Sequence, residues 1–210
     1  MMAFHFLLGH IVADHAFTNN AKIRKYSGSK LVGHILWSIL AILAFTFDVV
    51  FSSTKGMILF LVLAFVHAVL DILRVKYYPV SRRIVDVIEA AGIGFAFLIN
   101  GISLKLLANS YLSAEFVFYL LGMSTVSVGV TYFFRNFYPG NENLADVDGI
   151  SERLAIYIFL LASKPFYVFI SIVVALIYRL LFVKKVDHTW WISPMSGIII
   201  SIIWRMALYR

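Results

Sequence analysis

Met57-Ile-Leu-Phe-Leu-Val-Leu-Ala-Phe-Val-His67-Ala-Val-Leu-Asp71-Ile-Leu73 is apolar along its whole length except for one histidine and one aspartate. A barrel strand would alternate apolar and polar residues; this run is apolar all round and reads as a membrane-spanning helix. On a helix, residues four apart share a face, one turn from each other. His67 and Asp71 therefore project together from a greasy surface. His10-Ile-Val-Ala-Asp14 repeats the spacing near the start of the chain, and His34 stands just after a basic loop.

The surrounding composition agrees with a membrane reading. The chain has 210 residues, 61% of them hydrophobic and 14% charged, against about 25% charged in a soluble domain. Its mean hydropathy is +0.89. So much apolar sequence implies an all-α, polytopic transmembrane helical bundle of about 6–8 segments, a single integral-membrane domain over residues 1–210. Within it, 1–135 carries the His/Asp-bearing helices, and 150–210 holds further helices after a polar loop. There is no cysteine, which excludes disulfides, thiolate metal sites and cysteine nucleophiles. The formal charge of +7 is read as lysine and arginine of cytoplasmic loops facing anionic lipid heads, and no nucleic-acid partner is expected. Met1–Phe17 lacks the basic start and cleavage pattern of a signal peptide.

Apolar segments are expected at about 3–17, 31–51, 57–73, 84–107, 114–134 and 190–208, with 150–182 divided at Lys164-Pro165 into two short segments. The first is short for a span and reads as tilted or re-entrant. The loops 18–30 and 74–83 are richest in Lys and Arg and are expected on the cytoplasmic side. That topology brings His10, Asp14, His34, His67, Asp71, Glu89 and the pair Glu152-Arg153 to one depth, near the cytoplasmic face. His5, His15 and His188 are read as interfacial, and Asp146 and Asp148 as residues of a solvated loop.

Imidazole and carboxylate together suit zinc, manganese or iron. His10, Asp14, His34, His67 and Asp71 supply up to five ligands for a divalent metal, which would offset the cost of carboxylates in a low-dielectric region. Such an ion also lowers the pKa of a bound water toward neutrality. Glu89 or Glu152 then serves as general base or orients an imidazole, and Arg153 steadies charge. Arg74, Lys22 and Lys25 flank this face and suit a phosphate or another anionic head group. The same His–Asp pairs also serve simply to pack helices together.

At these residues the chain resembles a bacterial integral-membrane family described only as a domain of unknown function. The resemblance lies in His10-x-x-x-Asp14, Lys22, Lys25, His34 and His67-x-x-x-Asp71-x-x-Arg74. It continues in Gly149-Ile-Ser-Glu152-Arg153-Leu, similar to that family's Gly-x-x-Glu-Arg-Leu segment, and in the Gly197 segment. The chain departs from the family at Thr18, where a glutamine is usual, at Arg74, where a lysine is usual, and around His188-Thr189, where an acidic residue is expected. The resemblance implies a multi-pass protein of the cell membrane with a shared polar core, and supplies no activity.

Three functions are compatible with this pattern. The first is a metal-dependent membrane hydrolase acting at the cytoplasmic face on a lipid or anionic amphipathic substrate. The second is a transporter or ion conductor using the same cluster, and the third a structural or partner-binding membrane protein.

Overall fold

The structure is a computed structural model and describes residues 2–16, 20–183 and 187–209. Among the described residues every regular element is helical. The chain divides into two compact units, Met1–Phe118 and Tyr119–Arg210. The division falls upstream of the polar loop near residue 140, inside a helix that opens at Ala114.

The first unit begins with α1 (His5–Ile11), which continues as a π-helical turn, Val12–Ala16. At 1.5 Å per residue the two together reach only about 18 Å, too short to cross a hydrocarbon core of about 30 Å. After α2 (Asn20–Ile23) come α3 (Ser29–Ala44), α4 (Phe47–Ser52), α5 (Thr54–Tyr77), α6 (Arg82–Ile102) and α7 (Leu104–Leu107). The segment expected over 31–51 is thus broken at Phe45-Thr46. Ser53 caps α5, its hydroxyl accepting from Gly56 N at 3.0 Å, which satisfies one of the free amides of the first turn.

Helix α1 lies against α3 and α6. Its contact with α3 requires glycine: a Cβ at Gly9 would sit 2.8 Å from Ile42 Cα. Its start is tied to α6 through Asn100, whose side-chain oxygen accepts from Phe6 N at 3.2 Å and whose amide donates to Ala3 O. These bonds satisfy backbone groups at a buried helix end.

Helix α8 (Ala114–Ser124), a π-helical turn Thr125–Gly129 and α9 (Val130–Asn136) form one long segment. The second unit continues with α10 (Val147–Leu161), α11 (Pro165–Tyr178) extended by a π-helical turn Arg179–Val183, and α12 (Thr189–Leu208). The break expected at Lys164-Pro165 is present, and Pro165 opens α11 at its first turn, where a missing N–H is harmless. The core of this unit gathers Val126, Tyr157 and Leu161, with Trp204 and Ile200 packed on it.

Among the described residues, five segments are long and apolar enough to cross a bilayer: Thr54–Tyr77, Arg82–Ile102, Ala114–Asn136, Pro165–Val183 and Thr189–Leu208. Ser29–Ala44 is a shorter apolar helix. This is the helical architecture of a membrane protein. Helix α11 has no buried residue, as suits a helix surrounded by lipid.

Candidate metal centre

Four side chains of the first unit converge. Asp14 comes from the π-helical turn after α1, His34 from α3, and His67 and Asp71 from α5. All four are buried, and one ligand atom from each lies within 4.8 Å of the others. His34 Nε2 is 3.3 Å from Asp14 Oδ1 and 3.4 Å from Asp71 Oδ2. His67 Nε2 is 3.4 Å from each of the same two oxygens.

These distances have a simple meaning. Ligand bonds of about 2.0–2.1 Å around a tetrahedral ion give ligand–ligand edges of about 3.3–3.4 Å. The four imidazole–carboxylate separations match such an edge, and the two remaining pairs lie within 4.8 Å. They are long for hydrogen bonds between buried partners. Accordingly His67 Nε2 and Asp71 Oδ2 are buried without a hydrogen-bond partner. Orphaned buried polar atoms are costly and call for an explanation. Here they lie together with Asp14 and His34, and the four residues could hold one divalent cation.

Arg74 arranges the two aspartates. Its Nη1 donates to Asp14 Oδ2 at 3.1 Å and its Nη2 to Asp71 Oδ1 at 2.5 Å. One oxygen of each carboxylate is thereby held by the guanidinium, and the other turns toward the histidines. Arg74 Nη2 also lies 3.3 Å from His34 Nε2. Beyond Arg74, Glu89 accepts from Arg24 twice, Nε to Oε1 at 2.9 Å and Nη2 to Oε2 at 2.7 Å. Arg24 also reaches Asp86 at 3.2 Å. Three buried carboxylates, Asp14, Asp71 and Glu89, thus face two buried guanidiniums. That imbalance favours a bound cation.

His10 stands behind the four. Its Nδ1 lies 3.0 Å from Nδ1 of His67, so it addresses the nitrogen of His67 that faces away from the shared point. A hydrogen bond on that nitrogen sets the tautomer and ring angle of a ligating imidazole. The ring of His10 in turn rests on Gly92, where a Cβ would come within 3.2 Å of it. His10, Asp14, His67, Asp71, Arg74, Glu89 and Gly92 border a cavity of about 10 Å³, on the order of the room one water needs.

Of the residues singled out in the sequence, His10, Asp14, His34, His67, Asp71, Arg74 and Glu89 meet in the first unit. The two His-x-x-x-Asp pairs are used differently. In α5, a regular helix, both members reach the shared point. In the first pair the π-helical turn intervenes, so only Asp14 reaches it. Arg74 is buried and holds the Asp14 and Asp71 carboxylates in place, whereas Lys22 and Lys25 are exposed. Lys25 lies over the Tyr78 ring, 5.7 Å from its centroid.

Glu152 and Arg153 belong to the second unit and have partners there. Glu152 accepts from Arg179 at 2.8 Å and from Ser193 at 3.0 Å. Arg153 donates to Asp146 at 2.7 Å, to Thr131 at 3.0 Å and to Val126 O at 2.6 Å. Asp146 is therefore a buried ion-pair partner, not a residue of a solvated loop. His5 is likewise buried, not interfacial, and donates to Leu112 O at 2.9 Å. Arg24 is the main residue the sequence reading passed over. It sits in a basic loop, and nothing local distinguishes a buried arginine there from a solvated one.

No family model, curated protein or solved structure matches this chain.

Proposed function

We propose that the protein is a multi-pass enzyme of the cell membrane, holding one divalent metal ion at Asp14, His34, His67 and Asp71 and using it for hydrolysis of an anionic amphipathic substrate. The observation that carries the reading is the convergence of His67 Nε2 and Asp71 Oδ2, both lacking hydrogen-bond partners, on the same point as Asp14 Oδ1 and His34 Nε2. Zinc, manganese and iron all suit this donor set. A divalent ion supplies Lewis acidity and makes a neighbouring water more acidic. The water-sized cavity beside Asp14, His67 and Asp71 is where such a water would stand. His10 orients His67, and Arg74 orients both aspartates. Glu89, with each oxygen held by Arg24, balances charge around the centre.

One feature favours a structural or a transported ion instead: four protein ligands leave no open position, and closed four-ligand sites hold metals more often than they catalyse. The two readings separate experimentally. Purified protein is assayed for hydrolysis of short-chain phospholipids with and without chelator, and reconstituted protein for zinc flux. Chelator-sensitive hydrolysis abolished in His67→Ala supports the enzyme; flux without hydrolysis supports the transporter. Sidedness follows from labelling: a single cysteine at position 27 is expected to react from the cytoplasm and one at position 53 from the opposite face.

A further inference from the structure

A second concavity opens beside the centre. It has a volume of about 480 Å³ and is lined, among the described residues, by Lys22, Tyr26, Lys30, His34 and Trp37. His34 belongs both to this groove and to the four-ligand cluster. The groove therefore ends at a proposed metal ligand, while the water-sized cavity lies by the other three.

The groove is charged in one sense. Lys22 and Lys30 are exposed, and no carboxylate lines it. Lys25 is turned onto Tyr78 and takes no part. The remaining wall is aromatic, with the Tyr26 ring edge-on to His34 at 6.2 Å between centroids. Trp37 is 38% exposed, and next to it on α3 Leu36 and Leu40 are 57% and 60% exposed. Two cations beside a half-exposed tryptophan, with an apolar helix face running on from it, match the profile of a lipid at the bilayer interface.

We infer that this groove binds the phosphate head group of a membrane lipid, with Lys22 and Lys30 holding the anion and Trp37, Leu36 and Leu40 the start of the acyl region. The lipid phosphate is thereby delivered to the His34 side of the centre. The inference rests on the proposed hydrolase reading for its purpose, but its test does not depend on turnover.

Binding of dihexanoyl phosphatidic acid to the purified, metal-loaded protein is measured by calorimetry, with inorganic phosphate and dihexanoyl phosphatidylcholine as comparison probes. Metal content is measured on the same samples. Lys22→Met/Lys30→Met is expected to lose about tenfold or more in affinity for phosphatidic acid with metal content unchanged. Trp37→Ala is expected to weaken phosphatidic acid but not inorganic phosphate. Equal binding of phosphatidic acid by the parent and the double lysine variant overturns the inference. So does parent protein that binds inorganic phosphate as tightly as the lipid. Absence of metal from the parent protein overturns the metal centre instead, and the lysine effect still decides the groove.

Discussion

His10 Nδ1 lies 3.0 Å from His67 Nδ1, which places the two histidines in series: one faces the shared point and the other holds it from behind. Removing a partner of this kind typically costs 10–100-fold in metal affinity. His10→Ala is therefore expected to weaken zinc binding by about that factor without abolishing it, whereas His67→Ala abolishes it. Competition with a chelator of known affinity measures both. Equal losses in the two variants would make His10 a ligand, contrary to the arrangement described.

Arg74 bridges Asp14 and Asp71 at 3.1 and 2.5 Å. Without it, two buried carboxylates face each other with no cation between them. Breaking a buried pair by removing one partner costs about 3–5 kcal/mol. Arg74→Met should therefore melt well below the parent when metal-free. A divalent ion replaces the missing charge, so adding zinc should raise the melting temperature more in Arg74→Met than in the parent. A smaller zinc shift in the variant would count against the arginine as a charge substitute.

The second unit carries its own buried network of ion pairs. Arg153 is fully buried and joins Asp146, Thr131, Ser193 and Val126 O. Arg153→Met is expected to destabilise by about 3–5 kcal/mol, since it strands Asp146. Glu152→Gln should leave metal content at the parent level, because Glu152 is engaged with Arg179 and Ser193. Elemental analysis of that variant checks the point, and loss of metal there would assign Glu152 to the centre.

Backbone proximity between α1 and α3 gives a packing test. A Cβ at Gly9 would meet Ile42 Cα at 2.8 Å, whereas one at Gly94 meets nothing within 4 Å. Gly9→Ala is expected to destabilise by about 1–3 kcal/mol through overpacking, and Gly94→Ala to be neutral. Thermal melts in detergent distinguish the two, and equal behaviour would dismiss the close contact.

Much of the architecture was legible because a bilayer imposes long apolar helices and expels charge from their middles. Met57–Leu73 announces α5, and the four-residue spacing of His67 and Asp71 fixes their common face in a regular helix. The same spacing misleads at His10 and Asp14, because the π-helical turn Val12–Ala16 is a local rewinding that no residue pattern marks. Such turns often accompany functional sites. Arg24 was passed over and Asp146 misread for a different reason. Each lies in a polar stretch, and its burial depends on partners elsewhere: Glu89, 65 residues from Arg24, and Arg153, seven from Asp146. Composition shows that a charge is present; only the fold shows what neutralises it.

Asp14, His34, His67 and Asp71 are proposed to hold one divalent ion. The most direct measurement is the metal content of purified protein, washed free of loose ions and reloaded with zinc. About one ion per chain is expected, lost in Asp71→Asn and His67→Ala, and retained in Glu152→Gln. No bound metal in the parent, or equal metal in the parent, Asp71→Asn and His67→Ala, would contradict it.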